Sequence, residues 1–262
     1  MKTALVTGGG RGIGRTLARE LTRAGWQVVV TGRTPGPLDD AVALGDAVLA
    51  VPGDAADPAD VRRAVAATRA VGELDLVVAN AGTFGSGGPI WLGDPDTWWQ
   101  DVTVNLRGPA LLMHAVLGEM VARGTGRVVV LGSGIGLDPS PWASSYGSSK
   151  AAVLRLVDSV AAELAGTGVS VFAVSPGLVA TDMTEFPEAY LERQPQMRGL
   201  ALVEGRPPQD CAALVLALAS GRYDALSGRF VHVRNDLDAA EAAARAGERV
   251  GTLRLVQPEA PA

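Results

Sequence analysis

The chain of 262 residues has a single cysteine, two histidines and only 5% aromatic residues. One cysteine excludes an internal disulfide and suits a reducing compartment. Cys211 sits in the apolar run Cys211-Ala-Ala-Leu-Val-Leu-Ala-Leu218, where a buried, small apolar role is expected. Lysine is almost missing as well. Of 23 basic residues only Lys2 and Lys150 are lysines, and the net charge is −5 with no basic stripe. Nucleic acid is therefore not an expected partner, since binding it rests on clustered phosphate contacts. No apolar run reaches the ~18 residues of a membrane span, and the N-terminal run has no signal-peptide pattern. A protein of the cytoplasm is expected. So few histidines, one cysteine and no spaced carboxylate cluster give no expectation of a metal.

Glycine is plentiful, at 33 residues, and apolar residues make up 47%. Such a composition supports one large core with many tight turns. Short β-branched runs alternate with Ala/Leu/Arg segments of helical period. Ala4–Thr7, Gln27–Thr31, Ala47–Pro52, Leu74–Ala79, Arg127–Leu131, Val169–Val174 and Arg229–Val233 read as strands. Gly14–Ala24, Asp57–Ala70, Pro95–Arg123, Ser145–Leu164 and Pro208–Ala219 read as helices, with Asp57 and Asp94 as N-caps before Pro58 and Pro95. Largely apolar strands such as Leu74-Asp-Leu-Val-Val-Ala79 suit a parallel sheet covered on both faces. The alternation predicts an α/β fold, a Rossmann-type doubly wound sheet of about seven strands. Ligands bind such sheets beyond the carboxyl ends of the strands. A single catalytic domain over residues 1–235 is expected, with a long mobile lid at about 183–208 and a C-terminal extension, 236–262, of the same domain. The extension opens with an Ala-rich helix at Asp236–Gly247.

The first strand runs into Thr7-Gly-Gly-Gly-Arg-Gly-Ile-Gly14, and a helix follows. Glycines let the backbone approach a pyrophosphate, and the helix N-terminus offers free N–H groups and a positive dipole end. At a first strand–helix junction this is a dinucleotide signal. The second strand ends in Val28-Val-Val-Thr-Gly-Arg33, without the carboxylate that would bind a ribose 2′-hydroxyl. Arg33 and Arg11 are placed instead to grip a 2′-phosphate through paired hydrogen bonds. NADP is therefore expected in preference to NAD.

Tyr146-Gly-Ser-Ser-Lys150 puts a phenol and an ammonium one turn apart on a helix. With so few Tyr and Lys in the chain, that spacing would arise by chance about 2% of the time. An ammonium, with the positive charge of an oxidised nicotinamide, stabilises phenolate and brings a phenol's pKa of about 10 toward a working range.

The spacing Gly8-x₃-Gly12-x-Gly14 together with Tyr146-x₃-Lys150 resembles the compact branch of the short-chain dehydrogenase/reductase family. The resemblance covers about residues 3–235 and implies further roles. Arg11 and Arg33 stand where basic residues accompany NADP preference. Thr7, Gly8, Gly12, Ile13 and Gly14 would cradle the dinucleotide, and Asp54 with Ala55 would face the adenine. Asn80-Ala81-Gly82 resembles the family's Asn-Asn-Ala-Gly element, with Ala79 in place of the first Asn. Pro176, Gly177, Val179 and Thr181 would orient the nicotinamide amide. Ser133, 13 residues before Tyr146, would polarise the substrate oxygen. Asn105 would bend its helix and hold a water that relays protons through Lys150. The implied activity is interconversion of a carbonyl and a secondary alcohol, with hydride delivered from the B face and Tyr146 as acid or base. The implied assembly is a homodimer or homotetramer.

For the small-molecule carbonyl or alcohol substrate, a pocket of Phe84, Trp91 and the segment Ser133–Tyr146 is expected, with Pro139-Ser-Pro-Trp142 near its mouth. Met183, Phe186, Tyr190 and Met197 would close over it. These aromatics suit a small apolar or aromatic substrate, ordinary lid and core packing being the alternative. Trp98 and Trp99 are expected to pack the fourth helix, and His114 to lie there without a chemical role. After Val233 the chain reads Arg234-Asn-Asp-Leu237, where the family has a Gly-Gly pair, and this puts the usual subunit packing in doubt. Two other classes stay open: a non-catalytic NADP(H)-sensing protein, and a lyase or isomerase without net redox change.

Overall fold

The structure, a computed structural model, describes residues 1–181, 191–192 and 205–253. Seven parallel strands form one sheet in the order β3-β2-β1-β4-β5-β6-β7. They are β1 Thr3–Thr7, β2 Gln27–Gly32, β3 Leu49–Pro52, β4 Leu74–Ala79, β5 Gly126–Leu131, β6 Val169–Ser175 and β7 Phe230–His232. Every expected strand is present, displaced at its ends by two residues at most. The helices are α1 Gly12–Arg23, α2 Pro35–Ala43, α3 Pro58–Val71, α4 Pro95–Val102, α5 Gly108–Arg123, α6 Ser144–Glu163, α7 Pro208–Ala219 and α8 Leu237–Arg245.

Alternate residues of each strand feed two cores, as a sheet covered on both faces requires. Ala4, Val6, Val28 and Val30 face Leu17 and Leu21 of α1 and Cys211, Val215 and Leu218 of α7. Leu5, Val29, Val77 and Val128 face Val61 and Val65 of α3, Leu112 and Val116 of α5, and Val153 and Val157 of α6. Cys211 is fully buried, as expected of a small apolar filler.

The caps behave as the sequence indicates. Asp57 accepts from the amides of Ala59 and Asp60 (2.8 and 2.9 Å), and Asp94 from that of Thr97 at 3.0 Å. One helix was not expected. α2 opens on Pro35-Gly-Pro37, and both prolines fall in its first turn, where a missing N–H costs nothing. The expected single helix over Pro95–Arg123 is instead broken: Thr103–Arg107 winds as a π turn around Asn105.

Beyond β7, Asp236 caps α8 by accepting from Asp238 and Ala239 (3.0 and 3.1 Å). Leu237, Ala240 and Ala244 pack on the first core. The chain then returns along β7. Phe230 donates its amide to the Gly251 carbonyl at 2.7 Å, and the side chains of Arg229 and Arg155 donate to the carbonyls of Val250 (2.9 Å) and Leu253 (2.8 Å). Among the described residues no helix is long and apolar enough to cross a membrane. Most of the expected 183–208 lid, including Met183, Phe186, Tyr190 and Met197, lies outside the described residues, as do residues 254–262 of the expected extension.

Candidate active site

Strand order reverses between β1 and β4, and a cleft of about 480 Å³ opens at the carboxyl ends beside that switch point. Its floor is the loop from β1 to α1. Gly8 has φ of +65°, a conformation that favours glycine, and a Cβ on Gly14 would collide with the Gly8 carbonyl. The loop is thereby drawn tight under the start of α1. Arg11, the N-cap of that helix, makes no side-chain cap hydrogen bond, and its first turn has no acidic residue. Gly12, Ile13 and Gly14 line the cleft, so the uncapped N–H groups open on it. An anionic diphosphate fits such a terminus.

Thr7 stands behind the floor as a strut. Its hydroxyl accepts from the amides of Asn80 and Ala81 (3.1 and 3.0 Å), while Asn80 Nδ2 donates to the Thr7 carbonyl at 2.8 Å. The two strands flanking the switch point are thus cross-braced. Arg11 and Arg33 both line the far end of the cleft, with Thr34, Pro37 and Leu38 between the β2 end and α2. Among the lining residues the one acid is Asp54, whose carboxylate accepts from the Ala56 amide at 2.8 Å.

At the other end, Tyr146 and Lys150 reach the cleft from the first two turns of α6. Lys150 is 4% exposed and donates to the Leu131 carbonyl at 2.6 Å. Burial pushes its pKa down from 10.5 to about 8. Tyr146 goes the other way, up from 10.0 to about 12, chiefly through burial and secondarily through the negative charge of Asp101, against a hydrogen bond with Ser133 that lowers it. The sequence suggests a lowered phenol. Desolvation outweighs the Ser133 hydrogen bond. The Ser133 hydroxyl also accepts from the Ile135 amide at 3.3 Å.

Asn105 is buried at the π turn. Its Oδ1 accepts from the Thr83 amide (2.9 Å), and its Nδ2 donates to the Thr83 carbonyl (2.9 Å) and to Ser149 Oγ (3.1 Å). It fastens the loop after β4 to the helix of Tyr146.

Of the expected residues, Gly8, Arg11, Gly12, Ile13, Gly14, Arg33, Asp54, Ala55, Asn80, Ala81, Gly82, Phe84, Tyr146, Lys150, Pro176 and Thr181 line the one cleft. Thr7 and Asn105 support it from behind. Gly177, Val179 and Ser133 lie outside its wall, although Ser133 hydrogen-bonds Tyr146. Phe84 meets Tyr146 with ring centres 5.4 Å apart and planes at 50°. Trp91 is a correction: it is 79% exposed on a turn closed by the Leu92 amide and the Pro89 carbonyl, and it does not line the cleft. Nor does Trp142, which has φ of 62° and accepts at its carbonyl from the Gly88 amide at 2.8 Å. Trp98 packs as expected and donates to Ser144 Oγ at 3.0 Å, whereas Trp99, edge-on to it, is mostly exposed. His114 is exposed. Asp101, Ser145 and Thr83 were not anticipated. The i, i+4 spacing of Asp101 and Asn105 is the signal that points to the first.

Comparison with known proteins identifies the family. A family model described as short chain dehydrogenase matches residues 2–190. A short chain dehydrogenase of Pseudocercospora fijiensis is 34% identical over 275 residues, which is 97% of this chain and 87% of that protein. Human dehydrogenase/reductase SDR family member 4 is 35% identical over 238 residues, covering 88% of this chain and 86% of its own. Among solved structures, a single-residue variant of actinorhodin polyketide ketoreductase crystallised with NADPH superposes with a TM-score of 0.81 at 30% identity, covering 88% of this chain and 95% of that one.

Proposed function

The chain belongs to the short-chain dehydrogenase/reductase family, and from that premise we propose that it interconverts a small carbonyl compound and its secondary alcohol using NADP(H). The observation that carries the reading is that Tyr146 and Lys150 line one end of a dinucleotide-sized cleft and that the phenol shares a hydrogen bond with Ser133 just behind that wall. The uncapped α1 terminus fits the diphosphate, and Arg11 and Arg33, with no acid at the β2 end, fit a ribose 2′-phosphate. The ketoreductase neighbour solved with NADPH is consistent with this choice.

When bound, the dinucleotide supplies or takes up a hydride at the substrate carbon. Tyr146 supplies the proton to the carbonyl oxygen in reduction and removes it in oxidation. A phenol held protonated by burial is suited to the first task. Ser133 holds the same oxygen from its other side and stabilises the charge that builds there. Lys150, kept beside the phenol by its bond to the Leu131 carbonyl, favours the phenolate as the proton leaves. Asn105 fixes Thr83 and Ser149 and thereby the distance between the β4 loop and α6. Phe84 against Tyr146 supplies an apolar wall that suits an aliphatic or aromatic carbonyl. Residues 1–235 are read as the catalytic domain, and a cytoplasmic homo-oligomer as its setting.

A panel of ketones and alcohols, followed by nicotinamide absorbance with NADPH or NADP⁺, tests the reading. Turnover with apolar carbonyls is expected. Cofactor that binds but is consumed with no member of the panel would overturn it in favour of a sensor.

A further inference from the structure

α4 and the π turn that follows it present a row of three side chains to α6, each joined to a serine. Trp98 Nε1 donates to Ser144 Oγ at 3.0 Å, Ser145 Oγ donates to Asp101 Oδ2 at 2.7 Å, and Asn105 Nδ2 donates to Ser149 Oγ at 3.1 Å. Tyr146 lies between the last two serines. Asn105 and Asp101 each also hold the loop after β4. Asn105 binds both backbone groups of Thr83. Asp101 accepts from the Gly85 amide through Oδ1 at 2.8 Å and from the Ser86 amide through Oδ2 at 2.9 Å. Phe84, the ring against the Tyr146 phenol, is the residue between these two clamps.

Asp101 is 1% exposed and Ser145 fully buried. A carboxylate so deeply placed is costly unless its oxygens are bonded, and here three donors reach it from two other segments. A tie of this kind is out of proportion to capping a turn. It holds the β4 loop to the first turn of α6 at the point where the two walls of the substrate end meet.

We propose that Asp101 is a positioning residue, twin to Asn105, which fixes Phe84 and Tyr146 relative to one another and so presets the opening in which the carbonyl is held. The proposal rests on the reading of Tyr146 as acid and base. A second consequence is electrostatic. Among the described residues the charged side chains that face Tyr146 are Lys150 from its own helix and Asp101 from α4, and the carboxylate keeps the phenol protonated to higher pH. The phosphate end of the cleft is built from β1, α1 and β2 and does not involve Asp101.

The test compares wild type, Asp101→Asn, Ser145→Ala and Tyr146→Phe, with NADPH and phenanthrenequinone as an apolar aromatic dicarbonyl. An amide at 101 cannot accept from both backbone N–H groups. Asp101→Asn is expected to lower kcat/KM by about tenfold, mainly through KM for the quinone, with the NADPH Kd unchanged. Its alkaline limb should move to lower pH, because loss of the negative charge favours phenolate. Ser145→Ala keeps the charge and both loop anchors, so a smaller loss of kcat/KM without a pH shift is expected. Independently of turnover, the ζ-carbon resonance of labelled Tyr146, identified by its loss in Tyr146→Phe, should titrate at lower pH in Asp101→Asn than in wild type. Wild-type kinetics in Ser145→Ala together with an unmoved Tyr146 resonance in Asp101→Asn would overturn the proposal. So would losses in Asp101→Asn that fall equally on NADPH binding and thermal stability, the mark of general unfolding. Turnover that survives in Tyr146→Phe would instead overturn the acid–base reading itself.

Discussion

The Lys150 ammonium lies 5.5 Å from the centre of the Tyr146 ring, one helical turn away, and burial moves the two groups in opposite directions. Each is pushed toward its neutral form, the lysine to about 8 and the phenol to about 12. The pair therefore holds a proton on the oxygen until something else in the cleft favours its release. Tyr146→Phe should lower kcat on the order of a thousandfold while leaving NADPH affinity near wild type. Turnover and fluorescence titration of NADPH, on the same preparation, check the two halves of that statement.

The buried lysine also leaves a signature in stability. In the unfolded chain Lys150 titrates at its ordinary 10.5, and in the folded protein at about 8. Below pH 8 both states are charged, and the fold carries the full cost of the buried ammonium. Between about 8 and 10.5 the unfolded state binds more proton, so this contribution to stability rises with pH. The whole gain is at most roughly 3 kcal/mol, at 1.36 kcal/mol per unit. Tyr146 acts later and in reverse: its folded pKa is raised, so stability is lost as pH climbs from 10 toward 12. Lys150→Met should remove the rise between pH 8 and 10, read as the difference in urea midpoint between variant and wild type.

Arg33→Asp places a carboxylate at the end of β2, facing the same part of the cleft. Repulsion and the lost paired hydrogen bonds should lower the NADP-to-NAD ratio of kcat/KM on the order of 100-fold. Kinetics with both cofactors at one salt concentration measure it.

Cys211 is fully exposed to chemistry only when the chain opens. Its thiol is enclosed by the first core and pushed up to about 12, so the nucleophilic thiolate is absent at neutral pH. An aromatic disulfide reagent should titrate no thiol in the native protein and one after denaturation.

The returning segment over β7 should be worth measurable stability. Ending the chain after Ala246 removes the Gly251, Val250 and Leu253 carbonyls, which accept from Phe230, Arg229 and Arg155. Three hydrogen bonds of ordinary strength predict a loss of about 2–3 kcal/mol. Denaturant unfolding of the shortened chain checks it.

The sheet was legible because its strands are buried on both faces and so stand out as β-branched runs, as at Val28–Thr31. α2 was hidden by prolines whose tolerance at a helix start is a matter of position, not composition. The glycine loop and the Tyr146–Lys150 pair could be read because their chemistry depends on local spacing. The direction of the Tyr146 pKa could not, since it depends on how much water the folded walls exclude. Trp91 failed for the same reason in reverse: aromatic character favours a pocket, but a turn tip exposes whatever residue stands there. Asp101 was overlooked because both of its partner segments are remote in sequence.

Between α4 and α5 the π turn holds one residue more than a plain helix would need. Helical phase therefore slips there by ~100°, the angle of a single residue. Substitutions between Thr103 and Arg107 leave that phase alone, but deletion of any one residue would wind the segment back to an ordinary helix. Trp98 and Asp101 would then rotate off their serines while α5 stayed seated on the sheet. Asn105 apart, the helical phase at this place survives a change of letter far better than a change of length.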